Sequence, residues 1–155
     1  MKIFIGADHA GFEMKEALKP FLEELGHGVV DHGADEYNIE DDYPDFIIPV
    51  AKDVAQAEGA LGIVIGGSGQ GEAIAANRLK GVRAVVFNGQ YEPRDGREVP
   101  DEVILTREHN DANILSLGAR FLSIDDAKRT VTKWLATPFS ADARHVRRLE
   151  KVDNL

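Results

Sequence analysis

Two patterns of hydrophobic residues alternate along the chain. Short apolar runs rich in β-branched residues fall at residues 3–5, 29–30, 61–65 and 83–87, with one more inside 114–122. Longer stretches, several with apolar residues at steps of three and four, predict helices over residues 12–25, 44–57, 72–79, 124–135 and 141–151. Strands that alternate with helices in this way are typical of a parallel sheet with crossover helices.

We therefore predict a doubly wound, Rossmann-like α/β fold. It is a three-layer sandwich with a mostly parallel central sheet of about five strands, and such sheets bind ligands outside the carboxyl ends of their strands. Gly26 suits the end of the first helix and Pro44 the first turn of the second. Pro20, inside the first helix, predicts a kink or a late break.

The length of 155 residues suits a single domain, 1–155, in which residues 139–155 form a basic, helical C-terminal tail. The polar segment 88–105 contains Pro93 and Pro100 and predicts an irregular excursion or lid, part of it helical. The stretch 35–45 contains six carboxylates and no cation, which predicts a solvated connection.

Charge and composition exclude several classes of protein. The 27 acidic residues outnumber 18 Lys and Arg, and the net charge of −9 argues against a partner that is a nucleic acid or an anionic membrane. The absence of cysteine excludes disulfides, thiolate nucleophiles and Cys-ligated metals. No apolar run approaches the ~20 residues of a membrane span, and no His-Glu-x-x-His motif is present. We expect a cytoplasmic protein without a bound metal.

A glycine-rich loop follows the apolar run 61–65 and opens the next helix. It reads Gly66-Gly67-Ser68-Gly69-Gln70-Gly71. Backbone N–H groups at such a junction favour an anion, and glycines let a ligand approach closely. The loop departs from nucleotide-binding patterns, because Glu72 stands where an NTPase loop has lysine and where a dinucleotide loop has glycine. We expect a ligand loop, because a simple turn would need only one or two glycines.

Two acidic positions near this loop each have two interpretations. Glu72 is either an ordinary first-turn acid that stabilises the helix dipole or a carboxylate suited to proton abstraction. Asp8, which precedes His9 at the carboxyl end of the first strand, is either a capping residue or part of a site.

The second half of the chain contributes further candidates. His109, in a polar run before the last strand, is either a proton-transferring imidazole or an exposed loop histidine. Arg144 and Arg148 are four residues apart and share a helix face. They either hold a phosphate between two guanidinium groups or pair with carboxylates such as Asp142 and Glu150.

Taken together, five motifs in this order resemble type B ribose-5-phosphate isomerase, a family that also includes the galactose-6-phosphate isomerase subunits. The resemblance runs from residue 1 to about residue 149. The motifs are Asp8-His9-Ala10-Gly11-Phe12, Gly67-Ser68-Gly69-Gln70-Gly71-Glu72 with Ile74-Ala75-Ala76-Asn77, Arg107-Glu108-His109-Asn110-Asp111-Ala112-Asn113, Gly118-Ala119-Arg120 and Arg144-His145-x-x-Arg148.

The resemblance implies an aldose–ketose isomerisation of a sugar phosphate through an enediolate, without metal or cofactor. Family members use as base either a cysteine at the position of Gly66 or a glutamate at that of Glu72, and the absence of cysteine leaves Glu72. By the same resemblance His109 opens the sugar ring, and Asp8 and His9 contact the sugar. It also implies that the oxyanion is stabilised by Gly67, Ser68, Gly69, Gln70, Gly71 and Asn110. The phosphate would be bound by Arg120, Arg144 and Arg148.

The resemblance also implies a homodimer with a shared active site, with a tetramer as the larger alternative. Ribose 5-phosphate is the first choice of substrate. The segment 89–105 looks longer than in short family members, so hexose 6-phosphates and tetrose phosphates stay open.

Two other classes of protein stay open at this point. A non-catalytic sugar-phosphate sensor would need the phosphate-binding residues but not Glu72 and His109. A response-regulator-like domain would need clustered aspartates at strand ends, of which Asp8 is only one, and would have no use for the glycine loop.

Overall fold

Strands and helices alternate along the chain as the hydrophobic pattern predicts. The computed structural model describes residues 1–92, 95–96, 98 and 100–154. In these ranges the elements are β1 (Lys2–Ala7), α1 (Phe12–Glu24), β2 (Gly28–Asp31), α2 (Pro44–Gln56), β3 (Leu61–Gly66), α3 (Gln70–Ala76), β4 (Ala84–Phe87), α4 (Glu102–Glu108), β5 (Ile114–Gly118), α5 (Ile124–Ala136) and α6 (Ala143–Asp153).

The five strands form one sheet in the order β2-β1-β3-β5-β4, and each pairing in it is parallel. Ile63, at the centre of the sheet, pairs with Ile5 on one side and Leu115 on the other. From β1 the chain moves outward to β2, whereas from β3 it moves to the opposite side. This change of direction between β1 and β3 is where doubly wound sheets open a ligand crevice.

Helices cover both faces of the sheet, which confirms the three-layer α/β prediction. On one face α1 and α5 contribute Leu18, Leu22 and Trp134 to a core that also includes Val103 of α4. On the other face α2 contributes Ile47 and other apolar residues to a second core, with α3 packed beside it. β3 is buried throughout, as expected of a central parallel strand.

The first helix ends as the sequence predicts. α1 continues for four residues beyond Pro20, which therefore does not break it. Gly26 then adopts φ +83°, a conformation that favours glycine. Its N–H donates to Glu23 O, and the N–H of His27 donates to Leu22 O. These two hydrogen bonds form the common glycine-terminated helix end.

The limits of α3 and α6 differ from the prediction, and α6 spans Ala143–Asp153 rather than residues 141–151. α3 begins two residues earlier, and it ends at Ala76 because the Asn77 side chain bonds both N and O of Ala84 at the start of β4. The segment 88–105 is irregular over its described residues up to Asp101, whose carboxylate caps α4 by accepting from Val103 and Ile104 N–H. The predicted excursion is thus partly helical, and Pro93 lies outside the described residues.

α6 lies at the edge of the molecule and buries mainly His145. Over the described residues no helix combines the length and apolar character needed to cross a membrane. The assignment of residues 1–155 to one domain with a basic tail stays a prediction.

Candidate active site

Glu72 lies in the first turn of α3 with its carboxyl group inside the fold. The residue is only 4% exposed. A Cβ atom added to Gly66, the last residue of β3, would lie 1.9 Å from Glu72 Oε1, so the carboxyl group packs directly on the Gly66 backbone. Burial raises the pKa of Glu72 above its ordinary value of 4.5, its own backbone N–H opposes the rise, and the negative charge of Asp8 adds to it. Glu72 is therefore a carboxylate of increased basicity.

Neighbouring elements hold the glycine loop in place. Gly69 has φ +75°, which favours glycine, and its C=O accepts a buried hydrogen bond of 2.7 Å from Ser116 Oγ on β5. Asn88, directly after β4, donates from Nδ2 to Ser68 O at 2.9 Å. Because α3 has only seven residues, the loop N–H groups rather than a long helix dipole would meet an anion here.

Two side chains border this loop from outside. The Arg120 guanidinium lies against Gly67, where an added Cβ would be 3.0 Å from Cζ, and Arg120 N–H donates to Gly67 O. The Tyr43 ring lies equally close to Gly71. The structure therefore brings one predicted phosphate-binding arginine to the glycine loop.

Asp8 and His9 extend the same edge of the sheet. Asp8 Oδ1 accepts from the N–H groups of Ala10 and Gly11 at 3.0 and 3.2 Å, so this oxygen holds the turn before α1, whose N-cap is Gly11. The other oxygen, Oδ2, lies 3.9 Å from His9 Nδ1. Because Asp8 follows β1 and the glycine loop follows β3, both lie at the crevice between these strands.

His109 lies at the end of α4, and its ring contacts a second histidine. The ring centroids of His109 and His145 are 4.2 Å apart. His145 is 2% exposed, and burial, with a smaller contribution from His109, lowers the pKa of His145. Ser140 Oγ lies 3.0 Å from His145 Nδ1. His109 thus lies beside a buried imidazole that favours the neutral form.

Two arginines clamp the loop that follows His109. Arg83 Nε donates to the carbonyls of Asn110 and Asp111 at 3.1 and 3.0 Å, and Arg83 Nη2 donates to the Asp111 carboxylate at 2.8 Å. Arg107 Nη1 bonds the same carboxylate at 3.0 Å. Asp111 itself has φ +43°, uncommon for a residue with a side chain. The loop conformation is therefore imposed by its arginine partners.

α6 contacts both Arg83 and His109. Arg83 Nη1 lies 3.1 Å from Asp153 Oδ2 near the end of α6, and His145 near its start contacts His109. Arg144 and Arg148 are exposed on the same helix, and Arg144 Nε lies 3.9 Å from Asp142 Oδ2. The predicted alternative, in which Arg144 pairs with a carboxylate, is therefore represented only by this long contact with Asp142.

The predicted site residues fall at opposite edges of the sheet. One group follows strands at the carboxyl edge: Asp8, His9, the glycine loop with Glu72, and Arg120. The other group lies at the amino edge: His109, Asn110, Arg144 and Arg148. From Ile114 to Gly118, β5 spans roughly 13 Å at about 3.3 Å per residue. One chain therefore does not bring Glu72 and His109 together.

None of three cavities in the described part of the chain is lined by residues of both groups. Three cavities have volumes of about 880, 600 and 690 Å³. Of the predicted site residues, only Asn110 lines any of the three, and it lines the third, between the end of α3 and α6.

Sequence reasoning missed three residues at this site: Asp41, Tyr43 and Asn88. The solvated-connection prediction for 35–45 is wrong for Asp41, whose side chain is 7% exposed and contacts His9. No sequence signal separates it from its five acidic neighbours. Asn88 carried a usable signal, because it is polar and directly follows a strand at the ligand edge.

One cluster of possible metal ligands lies here: single ligand atoms of Asp8, His9 and Asp41 fall within 4.8 Å of one another. Asp8 Oδ1 and Asp41 Oδ1 already accept backbone hydrogen bonds. The arrangement therefore has hydrogen-bonding roles that need no ion.

Comparison with known proteins identifies the family. A family model described as "Ribose/Galactose Isomerase" matches residues 3–152. The chain belongs to the ribose/galactose isomerase family. Ribose-5-phosphate isomerase B of Mycobacterium tuberculosis is 39% identical over 151 residues, which cover 97% of this chain and 86% of that protein. The predicted family and the isomerase class are confirmed.

Solved structures of family members share the fold. Ribose-5-phosphate isomerase B of Clostridium thermocellum superposes with a TM-score of 0.87 at 41% identity, covering 99% of this chain and 96% of that chain. The enzyme of Mycoplasma genitalium, solved with bound ribulose-5-phosphate, has a TM-score of 0.88 at 34% identity and covers 99% and 94% of the two chains. The described part of the chain, including the ends of the sheet that carry both groups, follows the architecture of these structures.

Proposed function

We propose that this protein interconverts ribose 5-phosphate and ribulose 5-phosphate, with Glu72 as the base. One observation carries the proposal: the Glu72 carboxyl group is buried against Gly66, at the glycine loop, with its pKa raised. A carboxylate in that setting is a stronger base than one in water and lies beside N–H groups that can meet an oxyanion. The relative with bound ribulose-5-phosphate supports the choice of sugar.

The chemistry is a proton transfer between neighbouring carbons. Glu72 takes the proton from C2 of the open-chain aldose, the C–H electrons form a C1–C2 double bond, and the carbonyl oxygen O1 becomes an oxyanion. N–H groups of the glycine loop, with Ser68 and Asn110, stabilise this enediolate; comparable donors are each worth about 2.7 to 4 kcal/mol. Glu72 then returns the proton to C1 while O1 gains the proton that O2 loses. The product is the ketose.

The contact between Glu72 and Gly66 supports this role for the carboxylate. By the family resemblance the base is either a cysteine at position 66 or a glutamate at position 72. In this chain a side chain at position 66 would begin 1.9 Å from Glu72 Oε1, so the carboxylate fills the space that a thiol would otherwise enter. Both kinds of base would thus act from one point beside β3.

The remaining roles require a second copy of the chain. His109, which would open the sugar ring, and Arg144 and Arg148, which would bind the phosphate with Arg120, lie at the opposite edge from Glu72. A symmetric dimer that faces the amino edge of one copy toward the carboxyl edge of the other would complete two identical sites. This supports a homodimer with a shared site.

Replacement of the base tests the proposal. Glu72→Gln keeps the shape of the side chain and removes its basicity, so we expect turnover to fall at least ~100-fold with sugar-phosphate binding retained. Glu102→Gln is the matched control, because Glu102 also lies in the first turn of a seven-residue helix and burial also raises its pKa. The assay follows ketose formation and C2 exchange in deuterated water, with EDTA present.

The results of these assays distinguish between the possible substrates and between an isomerase and a non-catalytic sensor. A panel of tetrose, pentose and hexose phosphates identifies the sugar, and the largest kcat/KM is expected for ribose 5-phosphate. Near-normal turnover by Glu72→Gln would remove Glu72 from the role. Binding without conversion or exchange for the whole panel would instead indicate a sugar-phosphate sensor.

A further inference from the structure

The loop between β2 and α2 holds the His9 imidazole from one side. Asp41 Oδ1 accepts from the His9 backbone N–H at 3.0 Å and lies 2.6 Å from ring atom Nδ1. The Tyr37 ring meets the His9 ring edge-on at 6.3 Å between centroids. The neighbours Glu40 and Asp42 are exposed, whereas the Asp41 side chain is 7% exposed. Of these three adjacent acids, Asp41 alone is turned inward.

The short contact determines which ring nitrogen carries the proton. An ionised carboxylate can only accept, so Nδ1 at 2.6 Å from Asp41 must be the donor. Asp8 does not compete for this proton, because its Oδ2 lies 3.9 Å from Nδ1. The neutral ring then has its lone pair on Nε2, and no described residue hydrogen-bonds to that atom.

We propose that Asp41 is a positioning residue that fixes His9 as the Nδ1–H tautomer and presents Nε2 to a sugar hydroxyl as a hydrogen-bond acceptor. The sugar as ligand rests on the proposed function; the tautomer does not. A hydrogen bond to one ring nitrogen of a histidine commonly determines whether the other nitrogen is a donor or an acceptor. His9 lies at the crevice between β1 and β3, so an acceptor at Nε2 would be within the region where such sheets bind ligands.

The unpaired oxygen of Asp41 argues against a purely structural role. Asp41 Oδ2 is buried and has no hydrogen-bond partner in the described part of the chain. An unsatisfied buried carboxylate oxygen costs stability, and the loop 35–45 could keep Asp41 in solvent with its acidic neighbours. Within the described residues, the bonds from Oδ1 to His9 are the side-chain hydrogen bonds that Asp41 gains from its inward position.

Nitrogen chemical shifts of the histidine rings test the tautomer without any substrate. In protein labelled with nitrogen-15 at histidine, with His9 assigned by its disappearance in His9→Gln, we expect the Nδ1–H pattern. Asp41→Ala releases the ring and should shift it toward the Nε2–H form that free imidazole rings favour. Asp41→Asn keeps an acceptor oxygen and should retain much of the Nδ1–H form. Asp42→Ala, at the exposed neighbour, should change nothing.

Kinetics test whether the tautomer matters for the reaction. Loss of one neutral hydrogen bond to the sugar corresponds to about a tenfold rise in KM for ribose 5-phosphate, which we expect for Asp41→Ala, with a smaller rise for Asp41→Asn. Circular dichroism checks that each variant is folded. If Asp41→Ala does not fold, wild-type shifts and Asp41→Asn still decide the matter.

Three results would overturn the inference: an Nε2–H pattern in wild-type protein, an unchanged pattern in Asp41→Ala, or an unchanged KM despite a changed pattern. A different result separates the two proposals. The expected shifts in a protein that converts no sugar phosphate would overturn the isomerase function and keep the assignment of Asp41 to the His9 tautomer.

Discussion

At the scale of single residues, the site depends on carboxylates taken out of water. Glu72 gains basicity because its ionised form is poorly solvated beside Gly66 and faces the charge of Asp8. Asp41 is held in the fold by His9. In both cases the same residue type on the surface would be an ordinary solvated acid, so burial rather than residue type distinguishes these two carboxylates.

The raised pKa of Glu72 predicts a cost in stability at high pH. A carboxyl group that binds its proton more tightly in the folded state destabilises the fold once pH exceeds its raised folded pKa, and has no such effect below the ordinary value of 4.5. Glu72→Gln cannot ionise. We therefore expect it to melt a few degrees higher than wild type at pH 8 and alike at pH 4, since about 1 kcal/mol shifts Tm by roughly 2 to 4 °C at this size.

Thermal melts at the two pH values measure this effect. Glu13→Gln, at an exposed position of α1, serves as the control and should follow wild type at both. A Glu72→Gln protein that is less stable than wild type at pH 8 would contradict the assignment of the raised pKa.

At the scale of elements, the loops that carry chemistry are fixed by hydrogen bonds from other elements. Ser116 and Asn88 hold the glycine loop from β5 and the end of β4. Arg83 holds the loop after His109 and also reaches Asp153 on α6. These hydrogen bonds restrict the conformations open to both loops, as a preorganised site requires.

The Arg83 clamp predicts a localised loss of order. Arg83→Met keeps an unbranched stem but removes the bonds to Asn110, Asp111 and Asp153. Hydrogen bonds to charged groups are worth about 1.5 to 3 kcal/mol each, so we expect unfolding free energy to fall by about 2 kcal/mol. Hydrogen exchange should speed up at residues 109–113 and in α6.

Arg129→Met is the matched control, because Arg129 forms an exposed pair with Asp126 on α5. Such surface pairs are worth less than about 1 kcal/mol, so urea unfolding should change little. Equal effects of the two substitutions, or faster exchange spread over the whole sheet, would argue against a local clamp.

At the scale of the whole molecule, the proposed site residues fall into two groups at opposite edges of the sheet. Glu72 and His109 lie at opposite edges of a parallel sheet, because one follows its strand and the other precedes its strand. Rotation of side chains does not bridge this separation. The proposed function therefore calls for a symmetric dimer, in which the amino edge of one copy faces the carboxyl edge of the other.

Mixed dimers test this arrangement. Glu72→Gln and His109→Asn proteins should each have low activity on the cyclic sugar phosphate, but a dimer with one subunit of each type has one site with both native residues. Co-expression with two affinity tags isolates the mixed dimer, which should therefore recover about half of wild-type turnover, against about a quarter for the unselected mixture of randomly paired dimers. Recovery no greater than the mean of the two variants would indicate sites formed within one chain.

The amino-acid sequence by itself determined the α/β fold class, the family and the candidate base. Hydrophobic periodicity is local, and the glycine loop with Glu72 is one continuous motif. The sequence also places His109 before its strand, which indicates the amino edge of the sheet. Tertiary structure alone decided that β5 lies between β3 and β4, that Asp41 rather than Asp42 turns inward, and that Arg83 reaches α6. Parallel pairing and burial join residues far apart in the chain, and a local pattern carries no information on such contacts.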